Sequence, residues 1–114
     1  MTVQYDSFAA MLQAVQAFHD KHEFNLNGGE DMIYRVALMA EELGEISACV
    51  SKGKDPDQLS EECADLLILL LGNAICANFD LNEAFWKKMA KLSERTGRVI
   101  GGRIRVSSFD NIDE

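Results

Sequence analysis

At 114 residues, 47% hydrophobic and with a single proline, the chain has the length of one domain and the makeup of a helical globular protein rather than a disordered one. Its formal net charge of -8 argues against holding a nucleic acid polymer or an anionic membrane through bulk charge. A phosphate-bearing substrate stays open, because a bound cation reverses the local sign. The three cysteines contain no C-x-x-C pair, so neither a disulfide framework nor a zinc site is expected, and a reducing, cytoplasmic setting fits. No basic segment leads into a long apolar run near the N-terminus, so no secretory signal is expected. The longest apolar run, Leu66–Leu71, is too short to span a bilayer.

Taken in chain order, the pattern predicts four helices and a tail. Phe8, Met11, Leu12, Val15 and Phe18 recur at helical spacing and place a first helix from about Ser7 to His22, capped by Asp6 or Ser7. The run Asn25-Leu26-Asn27-Gly28-Gly29 breaks the chain. A second helix is predicted from about Glu30 to Lys52, with Gly53 as its C-terminal cap. It carries two seams. Val36, Met39, Leu43, Ile46 and Val50 form one; Leu38, Glu42, Glu45 and Cys49 form the other, so two acids stand where geometry would bury a side chain. Asp55, Pro56 and Gln58 mark the start of a third helix ending near Asn78, on which Glu62 and Asp65 share a seam with Leu69, Gly72 and Cys76. Leu66–Leu71 makes this helix apolar on every side, which a small monomer cannot cover, so a homo-oligomer is expected. Asp80 and Glu83 open a fourth helix from about Leu81 to Thr96, closed by Gly97, with Leu81, Phe85, Met89 and Leu92 facing inward. Beyond it, Val99–Val106 alternates around Gly101-Gly102, readable as a short hairpin or as an arm reaching a neighbouring subunit. The expected fold is therefore all-α, a four-helix bundle-like subunit with a short irregular or β-like C-terminal tail.

The chemistry gathers in Glu42-x-x-Glu45 and Glu62-x-x-Asp65. Carboxylates three apart lie on one helical face, one turn above the other. Glu45 precedes Lys52 by seven residues and Glu62 follows Asp55 by seven, so each stands about 10 Å from the turn between the helices. In an antiparallel hairpin the four acids would lie level and repel. A divalent cation removes that repulsion, whereas solvated acidic faces are the plain alternative. An all-oxygen ligand set suits Mg²⁺, with Mn²⁺ as the other candidate. Iron in a carboxylate bundle wants Glu-x-x-His, which His19 and His22 do not supply.

Lys88, Lys91 and Arg95 share one face of the fourth helix and are either a solvated basic face or a phosphate-binding set. His19 and His22 read as surface residues, Asn73 as a satisfied buried amide, Trp86 as an edge or interface residue, and Cys49, Cys63 and Cys76 as small core residues.

These motifs resemble the MazG-like all-α nucleoside triphosphate pyrophosphohydrolases, whose signature is E-x-x-E, a spacer, then E-x-x-D. Glu42-Leu43-Gly44-Glu45 resembles the first half and Glu62-Cys63-Ala64-Asp65 the second, with sixteen residues between. Lys88-Met89 and Arg95 resemble the family's K-M-x-x-N-x-x-R, but Leu92 stands where the asparagine would be, which puts in doubt any substrate preference that asparagine carries. The resemblance covers about Glu30 to Arg98. It implies a dimeric or tetrameric helical protein holding Mg²⁺ through Glu42, Glu45, Glu62 and Asp65. It also implies hydrolysis of a nucleoside triphosphate between the α- and β-phosphates, with Glu42 or Glu45 handling the attacking water and Lys88, Lys91 and Arg95 on phosphate oxygens. Two alternatives stay open: an enzyme like phosphoribosyl-ATP pyrophosphohydrolase, and a non-catalytic helical dimerisation module.

Overall fold

The structure, a computed structural model, describes residues 7–106. Four helices follow one another: α1 (Phe8–Lys21), α2 (Met32–Ser51), α3 (Pro56–Cys76) and α4 (Leu81–Glu94). Two short strands follow, β1 (Gly97–Ile100) and β2 (Arg103–Val106). The fold is all-α with a two-stranded antiparallel tail, as the periodicity predicts.

Local chemistry sets each helix end. Every helix starts on a side-chain oxygen that accepts from a first-turn N–H: Ser7 from Ala10, Asp31 from Ile33, Asp55 from Gln58 and Asp80 from Glu83. α2 thus begins two residues later than its apolar pattern implies, because Asp31 is drawn off as the cap. The first three helices end in the same way. The N–H of Phe24, Lys54 and Phe79 reaches back to the carbonyl of His19, Cys49 and Ala74, respectively. The residue before each takes a left-handed conformation: Glu23 (φ 54°), Gly53 (φ 63°) and Asn78 (φ 57°). α4 stops at Glu94, short of Thr96, because the Arg95 backbone is already extended (ψ 150°) on its way into β1. Gly97 therefore opens a strand instead of closing the helix. The hairpin pairs Val99 with Ile104 and turns at Gly101-Gly102, both with positive φ (61° and 80°), as a two-residue turn matched to strand twist requires.

The chain divides into two compact units at Phe79–Asp80. In the first unit, α2 packs along α3, and α1 packs on α3 as well. As the numbering falls along α2 from Glu42 to Arg35, the partners on α3 rise from Asp65 to Asn73, so the pair is antiparallel. Among the described residues the buried apolar ones are Val15, Cys49, Leu71 and Ala74, and the buried polar ones are His19, Arg35 and Asn73.

Arg35, 1% exposed, is the largest fully buried side chain among the described residues. Its Nε donates to Asn73 Oδ1 (2.8 Å), Nη1 to the Gly29 carbonyl (3.1 Å) and Nη2 to the Leu69 carbonyl (3.0 Å). Gly72 makes the room: a Cβ there would land on Arg35 Nη2 and stand 2.9 Å from His19 Nε2. Asn73 is the satisfied amide expected, since Nδ2 also reaches Met39 Sδ at 3.0 Å.

Burial corrects several expectations. His19, expected at the surface, is 3% exposed, because α1 turns that face onto Gly72 of α3. Cys63 is exposed, lying about 100° round the helix from Glu62. On α2 the acidic seam turns toward α3, with Cys49 buried. Val36, Leu43 and Val50 of the other seam are 57%, 60% and 67% exposed. No residue of α4 is buried, so Phe85 and Met89 do not enter a core; Trp86, also exposed, meets Phe85 edge-on at 5.0 Å.

Candidate metal centre

The antiparallel α2–α3 hairpin brings acids from two helices to one level. Glu42, Glu62 and Asp65 each place a carboxylate oxygen within 4.8 Å of the others, and all three are half-buried. Glu45, one turn further along α2, lies outside that set and is exposed, but its carboxyl hydrogen-bonds Glu62. The centre is thus three converging oxygens with a fourth acid at the rim, rather than four equal ligands.

The electrostatics show the strain of that arrangement. Hydrogen bonding to Glu45, then burial and the Glu45 charge, push the Glu62 carboxyl up to about 7. Burial and the charges of Asp65 and Glu45 push Glu42 up as well, while hydrogen bonding to Glu62 pulls the other way. Glu42 Oε2 is buried without any hydrogen-bond partner. A buried carboxylate oxygen without a donor is costly, and here the neighbours are further acids that cannot all supply one. A hard divalent cation would satisfy the orphaned oxygen and screen the acids together, so the donor set fits such an ion.

Lys88, Lys91 and Arg95 belong to the second unit. Lys88 and Lys91 are exposed on α4, and Arg95, half-buried, lies just past its end. Glu41 and Glu61 are exposed next to the acid pairs.

Sequence reasoning missed Arg35 and the aromatic cavity beside it. Arg35 lies seven residues before Glu42, two helical turns along the same face. An arginine on a seam otherwise bound for burial was the available signal.

An antiparallel helix pair that converges three carboxylates is a frame able to hold a divalent cation against phosphate oxygens. A model of the MazG nucleotide pyrophosphohydrolase domain matches residues 33–100, more than half of the chain, and the protein belongs to that family. That membership assigns it, in general terms, nucleotide pyrophosphohydrolase activity, and the family is generally dependent on divalent metal. The matched stretch holds every candidate ligand together with Lys88, Lys91 and Arg95. No curated protein and no solved structure gives a significant match.

Proposed function

We propose that the protein hydrolyses nucleoside or deoxynucleoside triphosphates between the α- and β-phosphates, releasing monophosphate and pyrophosphate, with Mg²⁺ as the cation. In the cytoplasm such a reaction clears unwanted nucleotides from the pool. The observation that carries the reading is the buried, unpartnered Glu42 Oε2 within the convergence of Glu42, Glu62 and Asp65.

In this reading Glu42, Glu62 and Asp65 hold the cation, and Glu45 completes the ligand set or acts at its edge. Bound there, Mg²⁺ would neutralise phosphate charge and make water a better nucleophile. Glu45, exposed at the rim, is the acid free to orient that water and take its proton. Lys88, Lys91 and Arg95 would grip phosphate oxygens, for which an arginine fork and lysine point charges are suited.

The same reading includes self-association, as a dimer or tetramer. Val36, Leu43 and Val50 recur at seven-residue spacing along α2 and are all more than half exposed, and Leu67, Ile68 and Leu70 of the apolar run are partly exposed on α3. A helical stripe of that kind wants another apolar surface.

The experiment is pyrophosphate release from a panel of ribo-, deoxyribo- and modified triphosphates, with and without Mg²⁺. Metal-dependent release of pyrophosphate plus monophosphate supports the reading. Orthophosphate plus diphosphate overturns the α–β cleavage. Silence across the panel, with phosphoribosyl-ATP included, overturns the enzyme in favour of a helical dimerisation module.

A further inference from the structure

Charge is divided unevenly along the chain. Residues 1–79 carry thirteen acids and four cations, and one of those cations, Arg35, is buried. Four of the five arginines, Arg95, Arg98, Arg103 and Arg105, fall within residues 95–109, which hold no acid. Three of these four stand on the β1–β2 hairpin, which the hydrolytic chemistry leaves unused.

The register of the hairpin turns those three to one side. Arg98 pairs with Arg105, and Ile100 pairs with Arg103. Successive side chains of a strand point to opposite faces, and directly paired residues share a face. Arg98, Arg103 and Arg105 therefore lie on one face with Ile100. The other face is apolar: a Cβ added to Gly97 would meet the side chains of Ile104 and Val106 there. Arg103 and Arg105 stand about 7 Å apart along β2. Arg105 and Arg98 face each other across the ladder with Cβ atoms about 5 Å apart. Every residue of both strands is exposed. Among the described residues, Arg103 and Arg105 form no ion pair.

Three guanidinium groups this close repel one another. Like charges set directly opposite weaken a strand pair, and a two-stranded hairpin is marginal to begin with. An anion lying across the face removes that cost. The donors define its chemistry. Each guanidinium is a flat fork that only donates and fits two oxygens of one phosphoryl group. Two such forks on neighbouring positions of one face suit a ligand with two linked phosphoryl groups better than a ligand with one. A polynucleotide also carries phosphates in series, but a chain of net charge -8 repels an extended polyanion. A diphosphate is short enough to meet the arginines alone.

We propose that the arginine face of the β1–β2 hairpin is a binding site for pyrophosphate, with Arg103 and Arg105 as the two forks and Arg98 beside them. The site stands on the hairpin itself. Its role rests on the pyrophosphohydrolase reading, in which this anion is the product. Occupied, the face loses its internal repulsion and the hairpin stiffens.

The test uses the whole chain in EDTA at fixed ionic strength, titrated with inorganic pyrophosphate and with orthophosphate. Calorimetry gives the affinities. The Nε–H resonances of the two forks, identified by their loss in Arg103→Lys and Arg105→Lys, report where the anion goes. Pyrophosphate should bind at least about tenfold tighter than orthophosphate, the gain of one further charge-assisted contact. Both resonances should shift, and amide exchange along the β1–β2 ladder should slow. Arg103→Gln combined with Arg105→Gln should lower pyrophosphate affinity at least about tenfold. Lys52→Gln combined with Lys54→Gln removes the same charge from the exposed α2–α3 turn and should change it by less than about twofold. Equal affinity for the two anions, fork resonances that do not move, or an unchanged affinity in the Arg-to-Gln pair overturns the proposal. So does a short DNA duplex that displaces pyrophosphate from those resonances at lower concentration, which would make the face a nucleic-acid surface. Should the Arg-to-Gln pair lose the hairpin, the wild-type resonances and the ratio of the two anions decide by themselves. Pyrophosphate binding here without any release from triphosphates would sink the catalytic reading alone, and release without this binding would sink the hairpin site alone.

Discussion

Crowding of Glu62 with Glu45 and Glu42 makes the stability of the metal-free protein depend on pH in an unusual direction. The Glu62 carboxyl titrates near 7 in the folded chain, against 4.5 ordinarily, because it shares a hydrogen bond with Glu45, is partly desolvated and feels the Glu45 charge. Glu42 is raised too, chiefly by burial. Between about pH 4.5 and 7 the folded state therefore keeps protons that the unfolded chain has released. The stabilisation is fully present below the lower value and is lost as pH climbs through the upper one. A cation reverses the trend, because its ligands must be deprotonated and binding grows as the protons leave. Mg²⁺ at ten times its dissociation constant adds about 1.4 kcal/mol, which corresponds to roughly 5–10 °C in Tm for a unit of this size. The assay is a melting curve at pH 5, 6, 7 and 8, in EDTA or in Mg²⁺. In EDTA, Tm should fall from pH 5 to 7; the gap opened by Mg²⁺ should be close to zero at pH 5 and widest at pH 8. Glu62→Gln should flatten the EDTA slope and shrink the gap. A Tm in EDTA that rises across this window, with a Mg²⁺ gap independent of pH, would refute the reasoning.

Three further outcomes follow from the geometry. Glu45→Gln should lower pyrophosphate release by about 10²–10⁴-fold, as for loss of a proton acceptor, while keeping most of the Mg²⁺ melting shift; a wild-type rate would remove Glu45 from the chemistry. Gly72→Ala drives a methyl into the Arg35 guanidinium, which three hydrogen bonds hold in place, so chemical denaturation should show a loss of about 1–3 kcal/mol. Asn73→Ala deletes the acceptor of the shortest of those bonds and should cost about 1.5–3 kcal/mol by the same measurement; a neutral result in either variant would mean that the Arg35 cluster is looser than its distances indicate.

The parts of this protein that short-range rules govern were legible in its sequence. Asp55-Pro56 and Asp80 start helices because a carboxylate oxygen a few atoms from a free N–H will take it. Gly53 and Gly101-Gly102 fall where the backbone must turn left-handed, and Glu42, Glu45, Glu62 and Asp65 declare their faces by spacing alone. The ends that were misplaced, Asp31 and Arg95, were decided by competition between neighbouring caps and by the strand that follows.

Other features needed the tertiary structure, because they join residues that no periodicity links. Arg35 and Asn73 meet across 38 positions, and only Gly72 lets the guanidinium in. His19 looks like a surface histidine until α1 lays it on α3. Glu42 and Glu45 are equivalent by spacing, yet the helix pair leaves Glu42 half-buried with an orphaned oxygen and Glu45 at the rim. Helical spacing fixes which side chains share a face. How deeply each one sits, which of two like acids meets its partners, and whether a cavity opens beside them depend on how closely two helices approach, and that is set by packing between residues far apart in the chain.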